Sequence, residues 1–393
     1  MHYKNLFLLC SFSLILFAAN AQIATDSLDG RVNTINTAVP FLRIDPEARS
    51  GAMGDAGIAL SPDANSIYWN TAKLSFADNE VALAVTYTPW LRELVNDIYL
   101  ADLSGYVKLD DMQALTASLR YFSLGSIQFT DISGNNIGQF NPHEFALDGG
   151  YSRKLSDNFS TGINLKFIYS NLAAGYSVNG ALIKPGKAAA ADISFFYHQP
   201  DAKFGSTKGS YDIGMTISNL GSKITYTSNA LEKDYIPTNF GLGGAINFDF
   251  DDYNKLCITT DINKMLVPTP DTLDANGDGV LDYKQQTVPA AVFGSFTDAP
   301  GGFKEEIQEL MYSFGAEYWY NDLFAVRAGY YNENKLKGNR KYLTAGLGIK
   351  YSSFGLNFSY LIPTNNQKSP LDNTLRFSLL FDFDSLKGSG TIE

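Results

Sequence analysis

Little in this sequence can do acid–base or nucleophilic chemistry. The 393 residues include three histidines and two cysteines, and G-x-S-x-G, H-E-x-x-H and C-x-x-C are all missing. The common hydrolytic, zinc and redox sites therefore lack their parts, and an enzyme is not expected. Clustered Lys/Arg is missing too, and 41 acidic residues stand against 30 basic ones. That removes the footprint for nucleic acid or for an anionic membrane surface. Long apolar runs are absent except for one, "LFLLCSFSLILFAA" from Leu6 to Ala19.

Lys4 precedes that run and "ANA", Ala19 to Ala21, follows it. The run is shorter than the ~20 residues a spanning helix needs, so residues 1–21 read as a secretory signal peptide with Gln22 as the processed N-terminus. Cys10 sits inside the run and not at the cleavage point, against a lipoprotein signal. Processing leaves Cys257, His143 and His198, so no intramolecular disulfide is available despite an oxidising destination.

With no further apolar helix, any membrane passage must use strands. Alternating segments occur near 80–88, 97–107, 112–124, 143–154, 158–170, 188–198, 210–219, 238–249, 254–264, 311–320, 323–331, 341–351, 353–362 and 374–383. In "LRFSLLFDF" Leu375, Phe377, Leu379, Phe381 and Phe383 fall on one face, and Arg376, Ser378 and Asp382 on the other. In "FSTGINLKFIY" Ile163, Leu165 and Phe167 oppose Gly162, Asn164 and Lys166. Each segment has about the 9–11 residues of a tilted membrane strand, apolar outside and polar inside.

The connections decide against a soluble sandwich. They are tight after the second, fourth, tenth and twelfth segments ("KLDD", "KLSD", "YND", "YSS") and long after the third, fifth, seventh and ninth. Periplasmic turns and extracellular loops produce that rhythm. The expected fold is all-β: a 14-stranded antiparallel transmembrane barrel in the outer membrane, spanning residues 79–384, with periplasmic termini and a tail at 385–393. Inward charges of both signs (Arg120, Asp148, Lys166, Asp192, Asp261, Arg327, Lys350, Arg376, Asp382) point to pairing across a filled bore.

Within the N-terminal segment 22–78, the stretch Phe41 to Phe76 fits neither strand nor helix for long. "SGAMGDAGIA" (Ser50–Ala59) permits close backbone approach, and "SPDANSIYWN" (Ser61–Asn70) carries turn residues before Tyr68 and Trp69. Such a segment, beginning on the periplasmic side, is expected to pack in the lumen as a plug, with Met53, Asp55, Tyr68, Trp69 and Asn70 as its marker residues.

"MGDAGIALSPDANSIYWNTAKLSF" resembles the N-terminal signature of the FadL-like outer-membrane barrels. Asn70, Thr71 and Ala72 occupy that family's Asn-Pro-Ala triplet, with Thr71 in place of Pro. The fuller "FLRIDPEARSGAMGDAGIA" more closely resembles the PorV (LptO) family of the type IX secretion system. The resemblance implies fourteen strands, an N-terminal plug and no catalysis. It implies a shuttle that binds the C-terminal signal domains of secreted proteins at a large translocon subunit and delivers them to a surface sortase or attachment complex. A FadL-type channel for hydrophobic small molecules is the alternative.

Three further stretches are candidate sites. "DANGDGVLD" opens like a calcium loop, with Asp274, Asn276, Asp278 and Asp282 as ligands and Gln285 where the bidentate Glu would stand. Calcium is the one cofactor candidate, and none is required. In the long connection 265–310, Phe303, Ile307, Leu310 and Met311 recur at helical spacing, predicting an amphipathic helix over the barrel mouth, with Phe303 and Ile307 as candidate partner contacts. Trp90, Leu91 and Leu94, and Leu172, Tyr176 and Leu182, are apolar residues of other long loops, expected to contact lipid or partner proteins.

Overall fold

A computed structural model describes residues 33–91, 95–130, 133–178, 181–227, 233–364 and 374–383. The predicted signal peptide, Leu94 and the tail lie outside them. Fourteen antiparallel strands close into a barrel: β1 (Val81–Pro89), β2 (Ile98–Asp110), β3 (Gln113–Leu124), β4 (His143–Lys154), β5 (Phe159–Asn171), β6 (Gly186–Phe204), β7 (Thr207–Gly221), β8 (Asn239–Asp249), β9 (Asn254–Met265), β10 (Met311–Tyr320), β11 (Phe324–Asn332), β12 (Lys341–Tyr351), β13 (Phe354–Pro363) and β14 (Leu375–Phe383). Val81 pairs with Phe383 and Tyr87 with Phe377, so β14 closes on β1 and no edge is left.

Period-two patterning fixes the faces. On β5, Ile163, Leu165 and Phe167 are exposed while Ser160 and Asn164 are buried. On β12, Leu343, Leu347 and Ile349 face out and Thr344 faces in. A slip of one residue would put every charge into lipid, so register is strongly specified. Between β6 and β7 the register shifts at Asp192. There the Asn219 N–H donates to Asp192 Oδ1 at 2.6 Å, with Asn219 at φ 56.

Successive connections alternate between a short-turn rim (after even strands) and a long-loop rim (after odd ones). Residues 33–78 run through the bore from one rim to the other. At the long-loop rim the Asn33 N–H donates to Leu336 O at 3.0 Å and the Ala38 N–H to Tyr235 O at 2.9 Å. At the short-turn rim Lys108 Nζ donates to Ala77 O at 2.8 Å. Among the described residues the segment begins at the rim opposite the end of β14. Asn33 sits at the long-loop rim and Phe383 at the other, because loops around Tyr235, Glu305 and Leu336 supply the partners for residues 33–38.

Candidate functional site: the filled bore and the long-loop rim

The bore is built from glycine, hydroxyl and charged side chains that meet the N-terminal segment. The Ala48 N–H donates to Ser378 Oγ at 2.9 Å and the Gly54 N–H to Thr344 Oγ1 at 2.9 Å. Asp261 Oδ2 accepts from both the Gly57 and Ile58 N–H groups, at 2.7 and 2.9 Å. The Ala72 N–H reaches Ser194 Oγ at 3.1 Å and the Ser75 N–H reaches Ser152 Oγ at 3.2 Å. A segment with little regular structure has many free amides, and these wall groups satisfy them.

Closest approach falls at Met53–Gly54. A Cβ on Gly329 would lie 2.0 Å from Gly54 N and 2.1 Å from Met53 C, so only glycine fits. Gly54 itself has φ +70, with Tyr330 backbone atoms 2.6 Å from where a Cβ would be.

The five marker residues all take part. Met53 is fully buried in a cluster with Ala59, Leu60, Ala245 and Cys257. Asp55 accepts from the Tyr342 hydroxyl and lies 3.7 Å from Arg376 Nη2. Tyr68 sits under the Arg120 guanidinium, 4.3 Å from its ring centre, and edge-on to Trp69 at 4.8 Å. Trp69 covers Gly57 and donates to Glu47 Oε1 at 3.3 Å. Asn70 donates to Ile58 O and to Phe195 O, both at 3.1 Å, tying the segment's own turn to the wall.

Charged pairs hold the same interface. Arg49 binds Glu317 through Nε and Nη2 at 3.0 and 2.8 Å, a two-point contact, and Arg327 binds the same carboxylate at 2.6 Å. Lys166 bridges Asp148 and Asp192, and Lys350 pairs with Asp382. Of the inward charges expected from the sequence, all but Asp261 thus have a partner of opposite sign, with Arg120 on Asp102 and Arg376 beside Asp45 and Asp55, while Asp261 is held by backbone amides. A cavity of about 100 Å³ lies against the segment between Arg43, Asp55, Trp69 and Arg340. A larger one, about 710 Å³, opens among Asp63, His198, Asp249 and Trp319.

At the long-loop rim, residues 266–310 form a cover with short helices at Asp282–Gln285, Val288–Gly294 and Phe303–Gln308. Its anchor is ionic. Lys264 Nζ donates to Glu306 at 2.9 Å and to Glu309 at 2.5 Å; Lys337 reaches Glu309 at 3.0 Å and also Glu305. Thr269 Oγ1 adds a 2.6 Å bond to Glu309, and Asn33 Nδ2 one of 3.3 Å to Glu305. Burial pushes the Asp298 carboxyl up to about 6, with Glu306 and Glu309 adding to the effect.

The predicted amphipathic helix is there and is shorter than its spacing suggested. It ends at Gln308, so Leu310 lies outside it and Met311 opens β10. Glu305 and Glu306 point inward, while Phe303 is 80 % exposed and Ile307 46 %. Lys264 and Lys337 beneath it explain why its acidic side faces the barrel, since buried carboxylates there gain cationic partners. Phe293, 79 % exposed on the neighbouring helix, was not singled out from the sequence; the short apolar helix 288–294 carried no periodicity to mark it.

The other loop residues divide. Leu172 and Leu182 are exposed. Trp90 is half-buried against the cluster of Val39, Phe41, Leu100 and Phe122, where it packs on the segment, and Leu91 beside it has φ 53. Tyr176 stacks on Phe129 at 4.0 Å, within a small arch built around the hairpin Ile127–Thr130 and Asn136–Phe140.

In the acidic loop, Asp274 accepts from the Gly277 and Gly279 N–H groups at 2.9 and 3.0 Å, and Asp282 from that of Ala275. Gln285 Nε2 sits 2.9–3.0 Å from both Asp278 oxygens and from Val280 O. Among the described residues no three Asp, Glu, His or Cys side chains are grouped to hold a metal.

Residues 27–272 match the family described as "Type IX secretion system protein PorV". The chain belongs to the PorV family. The match runs from the N-terminal segment through β9 into the cover loop. It makes this barrel an outer-membrane component of type IX secretion. No curated protein matches the chain.

Among solved structures, the chain is similar to the P. putida toluene transporter TodX (12 % identity, TM-score 0.46, covering 87 % of this chain and 100 % of that one). It is also similar to the Ralstonia pickettii toluene transporter TbuX (11 %, TM-score 0.47, covering 86 % and 98 %). A Pseudomonas aeruginosa FadL homologue follows at 12 % and TM-score 0.38, covering 86 % and 99 %.

Proposed function

We propose that this PorV-family barrel receives secreted proteins by their C-terminal signal domain at a large translocon subunit and hands them to a surface attachment complex. In this reading the short turns face the periplasm and the long loops face outward. The N-terminal segment acts as a plug, and cargo is handled on the long-loop face and not through the bore. The observation that carries the reading is the helix Phe303–Gln308: its apolar residues face solvent while its acids fix it to the barrel. A rigidly mounted aromatic is the type of anchor that dominates protein interfaces. A channel for hydrophobic molecules would need a continuous apolar route through the bore, whereas the two cavities that touch the segment or the inward charges have charged residues in their lining; the apolar hollow of about 810 Å³ lies among outward-facing residues such as Ile213, Ile246, Ile258 and Phe314.

The test is affinity isolation of the intact protein from native outer membranes. Secreted proteins sharing a C-terminal β-domain, together with a giant translocon subunit, are expected to co-purify. Phe303→Ser combined with Ile307→Ser should reduce that recovery by about tenfold, the ~1.4 kcal/mol expected when a modest hot spot is lost. Undiminished recovery removes these residues from the surface. A barrel carrying only lipid-like molecules favours the channel.

We extend the proposal to calcium in the Asp274–Asp282 loop. Three oxygens already converge on Gln285 Nε2, and binding would require the Asp274 and Asp282 carboxylates to exchange amide partners for the ion. Calcium should then slow proteolysis of this loop, and Asp274→Ala with Asp278→Ala should abolish the protection. Equal cleavage with and without calcium in the parent protein sinks the idea.

A further inference from the structure

We propose that the bore holds a binding site for one small oxyanion, a carboxylate or a phosphate, just below the long-loop rim, with Arg43 and Arg340 as its ligands. Arg43 ends the turn Pro40–Arg43 of the N-terminal segment, and Arg340 lies in the loop between β11 and β12. Their guanidiniums converge on one thioether: Arg43 Nη2 is 3.0 Å and Arg340 Nη2 3.7 Å from Met311 Sδ. Sulfur is a weak acceptor and carries no charge to offset theirs. Arg340 has an acid of its own, Glu333, gripped through Nε and Nη2 at 2.8 and 3.1 Å, and its Nη2 also donates to the Tyr331 hydroxyl at 3.0 Å. Arg43 forms no ion pair among the described residues, and the Met311 sulfur is its recorded contact.

Two cations held side by side with one carboxylate between them repel each other, and an anion that completes the group removes the cost. The cavity of about 100 Å³ beside the segment lies against both side chains, and Lys166, Ser218 and Asn239 also line it. Asp45 and Asp55 line it too, but Arg376 lies beside both and the Tyr342 hydroxyl donates to Asp55. Guanidinium forks match carboxylate and phosphate oxygens, and neutral hydroxyl and amide groups can fill out the shell. The volume admits a few waters or one such ion and no long alkyl chain, which separates this site from a route for hydrocarbons or fatty acids. It is reached from the long-loop side. Asn239 opens β8, Met311 opens β10 and Tyr331 lies next to the end of β11, all at that rim, and the Arg340 side chain is 30 % exposed.

Titration calorimetry of the full-length protein in detergent tests the site, with inorganic phosphate and acetate as probes and sodium chloride holding the ionic strength fixed. Saturable binding is expected for at least one of the two, and the tighter assigns phosphate or carboxylate. Arg43→Gln should weaken that binding by about tenfold or more, the loss expected for one charge-assisted contact. Lys255→Gln, at an exposed lysine paired with Asp322 on the short-turn rim, should bind as the parent does. Met311→Glu puts a carboxylate where the two guanidiniums meet. It should abolish binding and raise the unfolding midpoint of the ion-free protein. If neither ion binds the parent saturably, or if Arg43→Gln or Met311→Glu binds as tightly as the parent, the site is overturned. Decanoate binding more than about tenfold tighter than acetate would show room for an alkyl chain and overturn the small-anion assignment.

Discussion

Glu317→Ala is expected to destabilise the protein by about 3–5 kcal/mol, the range for removing one partner of a buried ion pair. Glu317 is 2 % exposed and binds two guanidiniums, Arg49 from the segment and Arg327 from β11. The substitution leaves both cations with less compensation in a low-dielectric bore. Arg49 keeps Asp63 at 3.4 Å and the Ser61 hydroxyl at 2.8 Å, while Arg327 keeps Asn357 at 2.8 Å. Arg327 thus retains no acid and should account for most of the loss. The measurement is thermal unfolding in detergent, followed by heat-modified gel mobility. Glu317→Met combined with Arg327→Met should recover much of the stability, because two apolar side chains of similar volume can replace a buried pair at little cost. An unchanged midpoint for Glu317→Ala would mean that the pair does not fasten the segment.

Gly329→Ala should lie at the upper end of the ~1–3 kcal/mol typical of overpacking, and its effect should be local. Its new methyl group would meet main-chain atoms of Met53 and Gly54, which cannot swing aside as a side chain would. The strands need not move, so the segment must. Trypsin is the probe: Arg49 and Lys73 are shielded in the parent protein, and cleavage at Arg49 should become detectable in the variant while the barrel stays heat-modifiable. Gly149→Ala, where a Cβ would meet nothing within 4 Å, is the control and should behave as the parent. Equal trypsin resistance in both variants would show that the contact at Gly329 does not position the segment.

Much of this was legible because the barrel is written in local rules. Alternation over nine to nineteen residues locates each strand and assigns its faces, since the side-chain period is two and only one face can meet lipid. Predicted and observed strand ends differ mostly by one to three residues. The one larger miss is the end of β6, expected at residue 198 and observed at Phe204, where β6 and β7 meet in a longer hairpin, Gly186–Phe204 with Thr207–Gly221, than their alternation suggested. There "HQPDAKFGSTKGS" is too polar to read as strand, yet it is paired beyond the apolar band.

Helix 303–308 shows the opposite case. Its spacing announced a helix, but which side faces the barrel was settled by Lys264 and Lys337, 39 residues before and 34 residues after Phe303, through ion pairs no local pattern encodes. Trp90 likewise looked like a rim anchor and packs on Phe41 and its neighbours, because the segment brings an apolar cluster to that spot.

By itself the sequence determined the strand number, the alternation of rims, the inward charges and the resemblance to a secretion family. Each depends on residues within a dozen positions of one another or on a contiguous motif. Tertiary structure alone decided the direction in which residues 33–78 cross the bore, the partner of each buried charge and the outward turn of Phe303. These are long-range pairings such as Arg49 with Glu317 and Asn33 with Glu305, and only closure of the barrel brings their two halves together.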